Sequence, residues 1–212
     1  LEQWNTGTVV IKEEVDNQGH KPKAEMFYIS FTRDGIRNKA KRPLTFSFNG
    51  GPGSSSVWML LGLLGPRRVP LSNNDADMTE RLSPLFHVQD NEFTLLDESD
   101  LVFIDPVGTG YSRPLKGDDI DPDEFFTFRR DLDSVGEFIR LYTSRNERWR
   151  SPKFLIGESY GTTRAAGFSG YLQDRFGLYL NGAMLVSAVL NFQTILFHPG
   201  NELPFVVYIP TY

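Results

Sequence analysis

The segment Gly157-Glu158-Ser159-Tyr160-Gly161 sits where a short apolar run, Pro152-Lys153-Phe154-Leu155-Ile156, gives way to a helical pattern from Thr162 to Phe176. No other feature constrains the fold as strongly. A serine between two glycines at a strand-to-helix junction needs strained backbone torsions, and strand and helix must approach so closely that a side chain on either glycine would collide. In such a turn the serine oxygen projects into solvent at the carboxyl edge of a sheet. The plain alternative is an ordinary strand-to-helix turn whose serine only caps the helix.

Two further motifs precede this one. Leu44-Thr45-Phe46-Ser47-Phe48 reads as a strand and runs into Asn49-Gly50-Gly51-Pro52-Gly53-Ser54-Ser55-Ser56, followed by an apolar helical stretch from Val57 to Leu64. In α/β-hydrolases, glycine-rich backbone after an early strand supplies one oxyanion donor, and the amide following the nucleophile supplies the other. Read without that context, the segment is a tight turn with Ser54 or Ser55 capping a helix. Between the two lies Asp100-Leu101-Val102-Phe103-Ile104, a strand that ends in Asp105-Pro106-Val107-Gly108-Thr109-Gly110-Tyr111-Ser112.

In kind, order and spacing the three motifs resemble those of the serine carboxypeptidase family, peptidase family S10, from about Thr45 to the end of the chain. The resemblance implies an α/β class chain with the α/β-hydrolase fold, a mixed sheet with helices on both faces. Residues 1–212 are expected to form a single domain, the amino-terminal portion of that fold. It would lack the later acid- and base-bearing strands and most of any cap.

Carried over residue by residue, the resemblance makes Ser159 the acylated nucleophile and the amides of Gly51 and Tyr160 the oxyanion hole. Asn49, Glu158 and the amide of Gly50 would grip the free carboxylate at a peptide's C-terminus. An ionised carboxylate cannot donate a hydrogen bond, so Glu158 must carry a proton to bind another carboxylate, and acid favours such binding. Two departures stand out. Ser54 replaces the cysteine that many eukaryotic members carry after Gly-Gly-Pro-Gly, and Gly62-Leu63-Leu64-Gly65 lacks the acidic residue that often supports the carboxylate site. Both are similar to the simplified pattern of bacterial-type members.

The acid and base are harder to find. In this fold the triad runs in the order Ser, Asp or Glu, His, on loops after later strands. After Ser159 the only histidine is His198, in the turn signal Phe197-His198-Pro199-Gly200, and Asp174 falls inside the helix leaving the elbow. Glu202 is the remaining acid, while His20 and His87 precede the nucleophile. The serine-bearing half of the machine is expected here without its acid and base, which a second chain or a further C-terminal portion would carry. The readings left open are a carboxypeptidase acting on peptides with a free C-terminus, another acyl hydrolase or acyltransferase on the same scaffold, and a catalytically incomplete fragment.

Composition removes other classes. The 212 residues carry a net charge of −5 and no cysteine, which excludes disulfides and thiolate metal sites. Nucleic acid is disfavoured, since phosphate contacts need clustered cations. The one basic cluster, Arg33, Arg37, Lys39, Lys41 and Arg42, reads as a solvated hairpin loop around Asp34-Gly35. No apolar stretch approaches the ~20 residues of a membrane span. Gly108-Thr109-Gly110 is followed by Arg113 and Pro114 rather than a third glycine and a helix, and Gly50-Gly51-Pro52-Gly53 has no lysine after it, so no nucleotide cofactor is expected. The chain starts at Leu1, in keeping with removal of a leader and a periplasmic or secreted destination.

Further elements are expected at Thr8 to Ile11 and Ala24 to Thr32 as antiparallel strands, and at Leu180 to Leu190 as a strand. A helix is expected to start at Asp121-Pro122-Asp123-Glu124, with Phe125, Phe128, Leu132, Val135, Ile139 and Tyr142 on its buried face. Pro66 to Gln89 reads as irregular and exposed.

Overall fold

The computed structural model describes residues 2–15, 19–70, 88–117 and 121–208. Strands β1 (Glu2–Val15) and β2 (Gly19–Arg33) form a long antiparallel ribbon, extending well beyond the two short strands predicted there. Next to β2 comes β6 (Asp100–Ile104), antiparallel to it, and then β3 (Leu44–Phe48), β8 (Lys153–Glu158) and β9 (Gly182–Val186), which run parallel to β6 and to each other. The order β1-β2-β6-β3-β8-β9 makes the sheet mixed, with the two-residue β7 (Arg113–Pro114) added to β2. Two more short strands, β4 (Arg67–Arg68) and β5 (Gln89–Asp90), pair with each other at the two ends of the stretch predicted to be irregular and exposed, and Pro66 at its start is buried. Residues 71–87 of that stretch lie outside the described residues.

The central strands are covered on both faces, as is usual for the parallel part of a sheet. Every residue of β3 and β6 is buried. Alternation splits β6 between two cores. Leu101 and Phe103 join Met59, Leu60, Leu64 and Ile156 on one face, while Val102 and Ile104 join Val135, Phe138, Ile139 and Phe168 on the other. The first face is covered by α1 (Val57–Met59), which widens into a π-helical turn over Leu60–Leu64. The second is covered by α2 (Phe128–Arg145) and α3 (Tyr160–Phe176), so helices lie on both faces. A short α4 (Leu203–Tyr208) follows β9.

Four local expectations need correction. No hairpin forms around Asp34-Gly35, because β6 lies between β2 and β3 and the chain crosses its end through a 3-10 turn at Lys39–Lys41. Arg42 is accordingly not a solvated loop residue: it is buried, with Nε donating to Asp100 at 3.2 Å. The helix predicted from Asp121 is split. Asp121 caps a 3-10 turn at Pro122–Phe126, accepting from the Asp123 amide, and Thr127 caps α2 anew, so Phe128 is left 45% exposed instead of sharing the buried face. The N-cap before α1 is Ser56, not Ser54 or Ser55, and its hydroxyl donates to the Ile104 carbonyl rather than capping. The strand expected over Leu180 to Leu190 is confined to β9, beyond which Ser187 takes a φ of +52°.

Candidate active site

The elbow forms where β8 ends and α3 begins. Ser159 has φ 56° and ψ −123°, a region that non-glycine residues enter only under strain, and the surroundings hold it there. Its amide donates to the Val186 carbonyl at 2.9 Å, tying the turn to the end of β9. Its carbonyl accepts from Thr162 Oγ1 at 2.6 Å, and Thr162 Oγ1 in turn accepts from the Val189 amide at 2.8 Å. Thr163 Oγ1 donates to the Val189 carbonyl, so two threonines fasten the post-β9 segment to the first turn of α3. A Cβ at Gly157 would collide with the Gly161 carbonyl, and one at Gly161 would lie 2.9 Å from the Phe48 carbonyl oxygen. The two glycines are therefore required by contact, as the sequence suggests.

The glycine-rich loop after β3 packs directly on this turn. A Cβ at Gly50 would sit 2.5 Å from the Glu158 carbonyl oxygen and would overlap the Tyr160 amide nitrogen. Gly51 and Gly53 have φ values of +108° and +115°, and the Ser54 amide closes the loop on the Gly50 carbonyl at 3.1 Å. Asn49, 3% exposed, is held at three points. Its Nδ2 donates to Glu158 Oε2 at 3.2 Å, its Oδ1 accepts from the Met59 amide at 3.0 Å, and its carbonyl accepts from Arg164 Nη1 at 3.0 Å. Six sequence-predicted residues, Asn49, Gly50, Gly51, Glu158, Ser159 and Tyr160, thus come from two segments that lie against each other. Tyr160 opens α3, so its amide has no carbonyl one turn earlier in the helix, and the positive end of the helix dipole faces the serine.

The third motif braces the first loop from below. Buried Asp105 accepts from the Ser56 amide at 2.8 Å and from the Tyr111 amide at 3.2 Å. Gly110, with φ +48°, leaves no room for a Cβ beside that carboxylate. Ser112 Oγ donates to the Asp105 carbonyl at 2.6 Å while accepting from the Phe27 amide at 2.8 Å.

Sequence reasoning missed Arg164 and Asp131. Arg164 lies four residues after Tyr160 on α3, 2% exposed, with Nε donating to Asp131 Oδ2 at 2.8 Å and the guanidinium over the rings of Phe48 and Tyr160. Burial pushes the Asp131 carboxyl upward, with Arg164 pulling the other way. Burial also raises the Tyr160 phenol, and the Asp131 charge adds to it. The available signal was an arginine on a helix face otherwise occupied by small and apolar residues.

Among the described residues no side chain hydrogen-bonds the Ser159 hydroxyl. His198 is exposed, its Nδ1 lying 3.0 Å from the Pro199 carbonyl oxygen, and Asp174 is exposed on α3. His87 lies outside the described residues, and nothing is described of the His20 side chain. No group of His, Asp and Glu among the described residues could hold a metal, and no described helix is long and apolar enough to cross a membrane.

A mixed sheet with helices on both faces and a strained serine at a strand-to-helix turn define the α/β-hydrolase fold. Within that class the chain belongs to the serine carboxypeptidase family, which residues 14–190 match. The pheromone-processing carboxypeptidase KEX1 of Saccharomyces cerevisiae is 31% identical over 168 residues, covering 76% of this chain and 21% of the yeast protein. Serine carboxypeptidase-like 5 of Arabidopsis thaliana is 27% identical over 144 residues, covering 67% of this chain and 30% of the plant protein. The crystal structure of KEX1(delta)p superposes with a TM-score of 0.68 at 23% identity, over 97% of this chain and 45% of that one. The chain therefore spans less than a third of the length of these curated relatives.

Proposed function

We propose that this chain carries the nucleophile half of a serine carboxypeptidase, which releases C-terminal residues from peptides through an acyl-enzyme on Ser159. The strained Ser159 backbone, with the Asn49 to Gly51 loop packed on it, carries the reading. Such a turn offers the hydroxyl to a substrate carbonyl. The amides of Gly51 and Tyr160 would receive the negative charge that develops on the carbonyl oxygen, and fixed donors in a partly desolvated site suit that task. The Asn49 to Glu158 hydrogen bond supports the exopeptidase form of the reading, since it joins two residues whose remaining donors can meet a terminal carboxylate.

The general base and its acid partner are supplied from outside these residues, by a further portion of the chain or by a second chain. Two observations support this: the exposed position of His198, and the outermost place of β9 in the described sheet with Met184 and Leu185 uncovered. The 212 residues alone are then inactive. A fluorophosphonate probe decides between the cases, because it labels serine only where a base activates it. Labelling of Ser159 is expected in the complete protein and not in residues 1–212; equal labelling of both would overturn the second half of the proposal. A second reading, acyl transfer or ester hydrolysis on the same serine, is favoured by Leu63, which stands where the carboxylate site of relatives often has acidic support.

A further inference from the structure

We propose that Arg164, braced by Asp131, is a positioning residue for the substrate carboxylate. It aims the Gly50 amide by gripping the carbonyl on the other side of the same peptide plane. The inference rests on the carboxypeptidase reading above.

Arg164 Nη1 donates to the Asn49 carbonyl at 3.0 Å. The peptide joining Asn49 to Gly50 is not among the cis bonds, so the carbonyl oxygen of Asn49 and the amide hydrogen of Gly50 point in opposite directions within one rigid plane. Fixing the oxygen fixes the direction of the hydrogen. Gly50 has no side chain to lock its torsions; the Ser54 amide holds its carbonyl at 3.1 Å, and Arg164 holds the peptide plane that carries its amide. The guanidinium is itself immobile. Its Nε is held by Asp131 Oδ2 at 2.8 Å, its central carbon lies 5.1 Å from the Phe48 ring centroid and 5.5 Å from that of Tyr160, and its side chain is 3% exposed.

A lysine would not substitute. The planar fork of arginine can bond a carboxylate with one nitrogen and a carbonyl with another while stacking on rings, whereas an ammonium is a point donor. Asp131 lies in the first turn of α2, so the pair also links that helix to the loop. The arrangement joins three elements at one backbone carbonyl, next to the Gly50 amide proposed to meet the free C-terminus. It therefore bears on recognition of the carboxylate and leaves acylation of Ser159 largely untouched.

The test compares a peptide acid with its C-terminal amide in the complete protein, for wild type, Arg164→Lys and the double variant Asp131→Leu/Arg164→Met. The double variant removes both buried charges together, which a fold tolerates far better than an orphaned one. KM for the acid is expected to rise about tenfold or more in both variants, the scale of a lost hydrogen bond to a charged group. KM for the amide and the rate of fluorophosphonate labelling at Ser159 should stay within about twofold, an interval too small to reflect a lost hydrogen bond. Equal losses on acid and amide would overturn the proposal, as would no loss on either. A wild type without preference for the acid would instead sink the carboxypeptidase reading. The nitrogen and hydrogen resonances of the Gly50 amide then decide separately: displacement in Arg164→Lys supports the positioning role, and unchanged resonances refute it.

Discussion

Ser159 and Glu158 are neighbours whose proposed tasks depend on opposite conditions. The hydroxyl becomes nucleophilic only when a base is unprotonated, while Glu158 can donate to a carboxylate only when it keeps its proton. Peptidase activity on free acids should therefore peak at lower pH than activity on amides or esters. Glu158→Gln should bring the two profiles together, since an amide donates at any pH; parallel profiles in the wild type would remove Glu158 from the carboxylate site. Ser159→Ala should abolish turnover while leaving the far-UV circular dichroism and melting temperature close to those of the parent. Relief of the positive φ strain does not follow from that change, because alanine also carries a Cβ.

The helices α2 and α3 approach closely at two glycines, Gly136 of α2 and Gly167 of α3, and a Cβ at Gly167 would lie 2.8 Å from the Phe128 ring. A Cβ at Gly136 of α2 would lie 2.8 Å from the Tyr171 ring of α3, and the Phe168 ring is 3.4 Å away. At Gly170, on α3, nothing lies within 4 Å. Helix propensity alone would make alanine better at both positions by about 1 kcal/mol. We expect Gly170→Ala to stabilise by about that amount and Gly136→Ala to destabilise by about 1 to 3 kcal/mol through overpacking. Urea denaturation of both variants checks this, and a gain at Gly136 would mean that Tyr171 moves aside at little cost. The ends of α3 follow ordinary rules: Gly177, with φ +63°, closes its C-terminus, and the elbow replaces a side-chain cap at its start.

The whole molecule is polarised by its topology. Because α2 leads into β8 and α3 leaves it, the N-termini of both helices lie at the carboxyl edge of the parallel strands, where the proposed anionic groups of substrate would sit. Cations gather at the opposite edge. Arg42 and Arg148 both bond Asp100 there, at 3.2 and 2.6 Å, and Lys153 donates to the carbonyls of Trp149 and Ser151. Burial pushes the Lys153 ammonium down, and Arg148 adds to the effect. Asp100→Asn would leave two buried guanidiniums without a counter-charge, and a loss of about 3 to 5 kcal/mol is expected in denaturant unfolding.

Tyr142 sits nearby in the core, 4% exposed and packed against Tyr28, Phe46 and Phe138. Burial pushes its phenol up to about 12 from an ordinary 10.0. For a folded value raised above the unfolded one, the folded state holds its proton while the unfolded state gives it up, so stability falls as pH rises from about 10 to about 12. Tyr142→Phe should flatten that fall. Parallel unfolding curves for the two proteins across this window would show that other groups govern alkaline unfolding.

Much of the fold was legible because local chemistry demanded it. Leu44–Phe48, which alternates apolar and β-prone residues, and Asp100–Ile104 read as strands, and both form as read, buried on both faces. The elbow was legible in part, since Gly157 answers to the Gly161 carbonyl four residues on, whereas Gly161 answers to Phe48 on a distant strand. The order of strands was not. Placing β6 between β2 and β3 is a choice among pairings of similar apolar segments, made by the fit of two cores, and it turned an expected hairpin into a crossover and a loop arginine into a buried one. Residues 49 and 158 could be named as partners only through resemblance, because hydrogen bonds across 109 positions leave no periodic trace. Arg164 left still less. Its burial depends on Asp131, Asn49, Phe48 and Tyr160 converging from separate elements, and convergence of that kind is a property of tertiary packing alone.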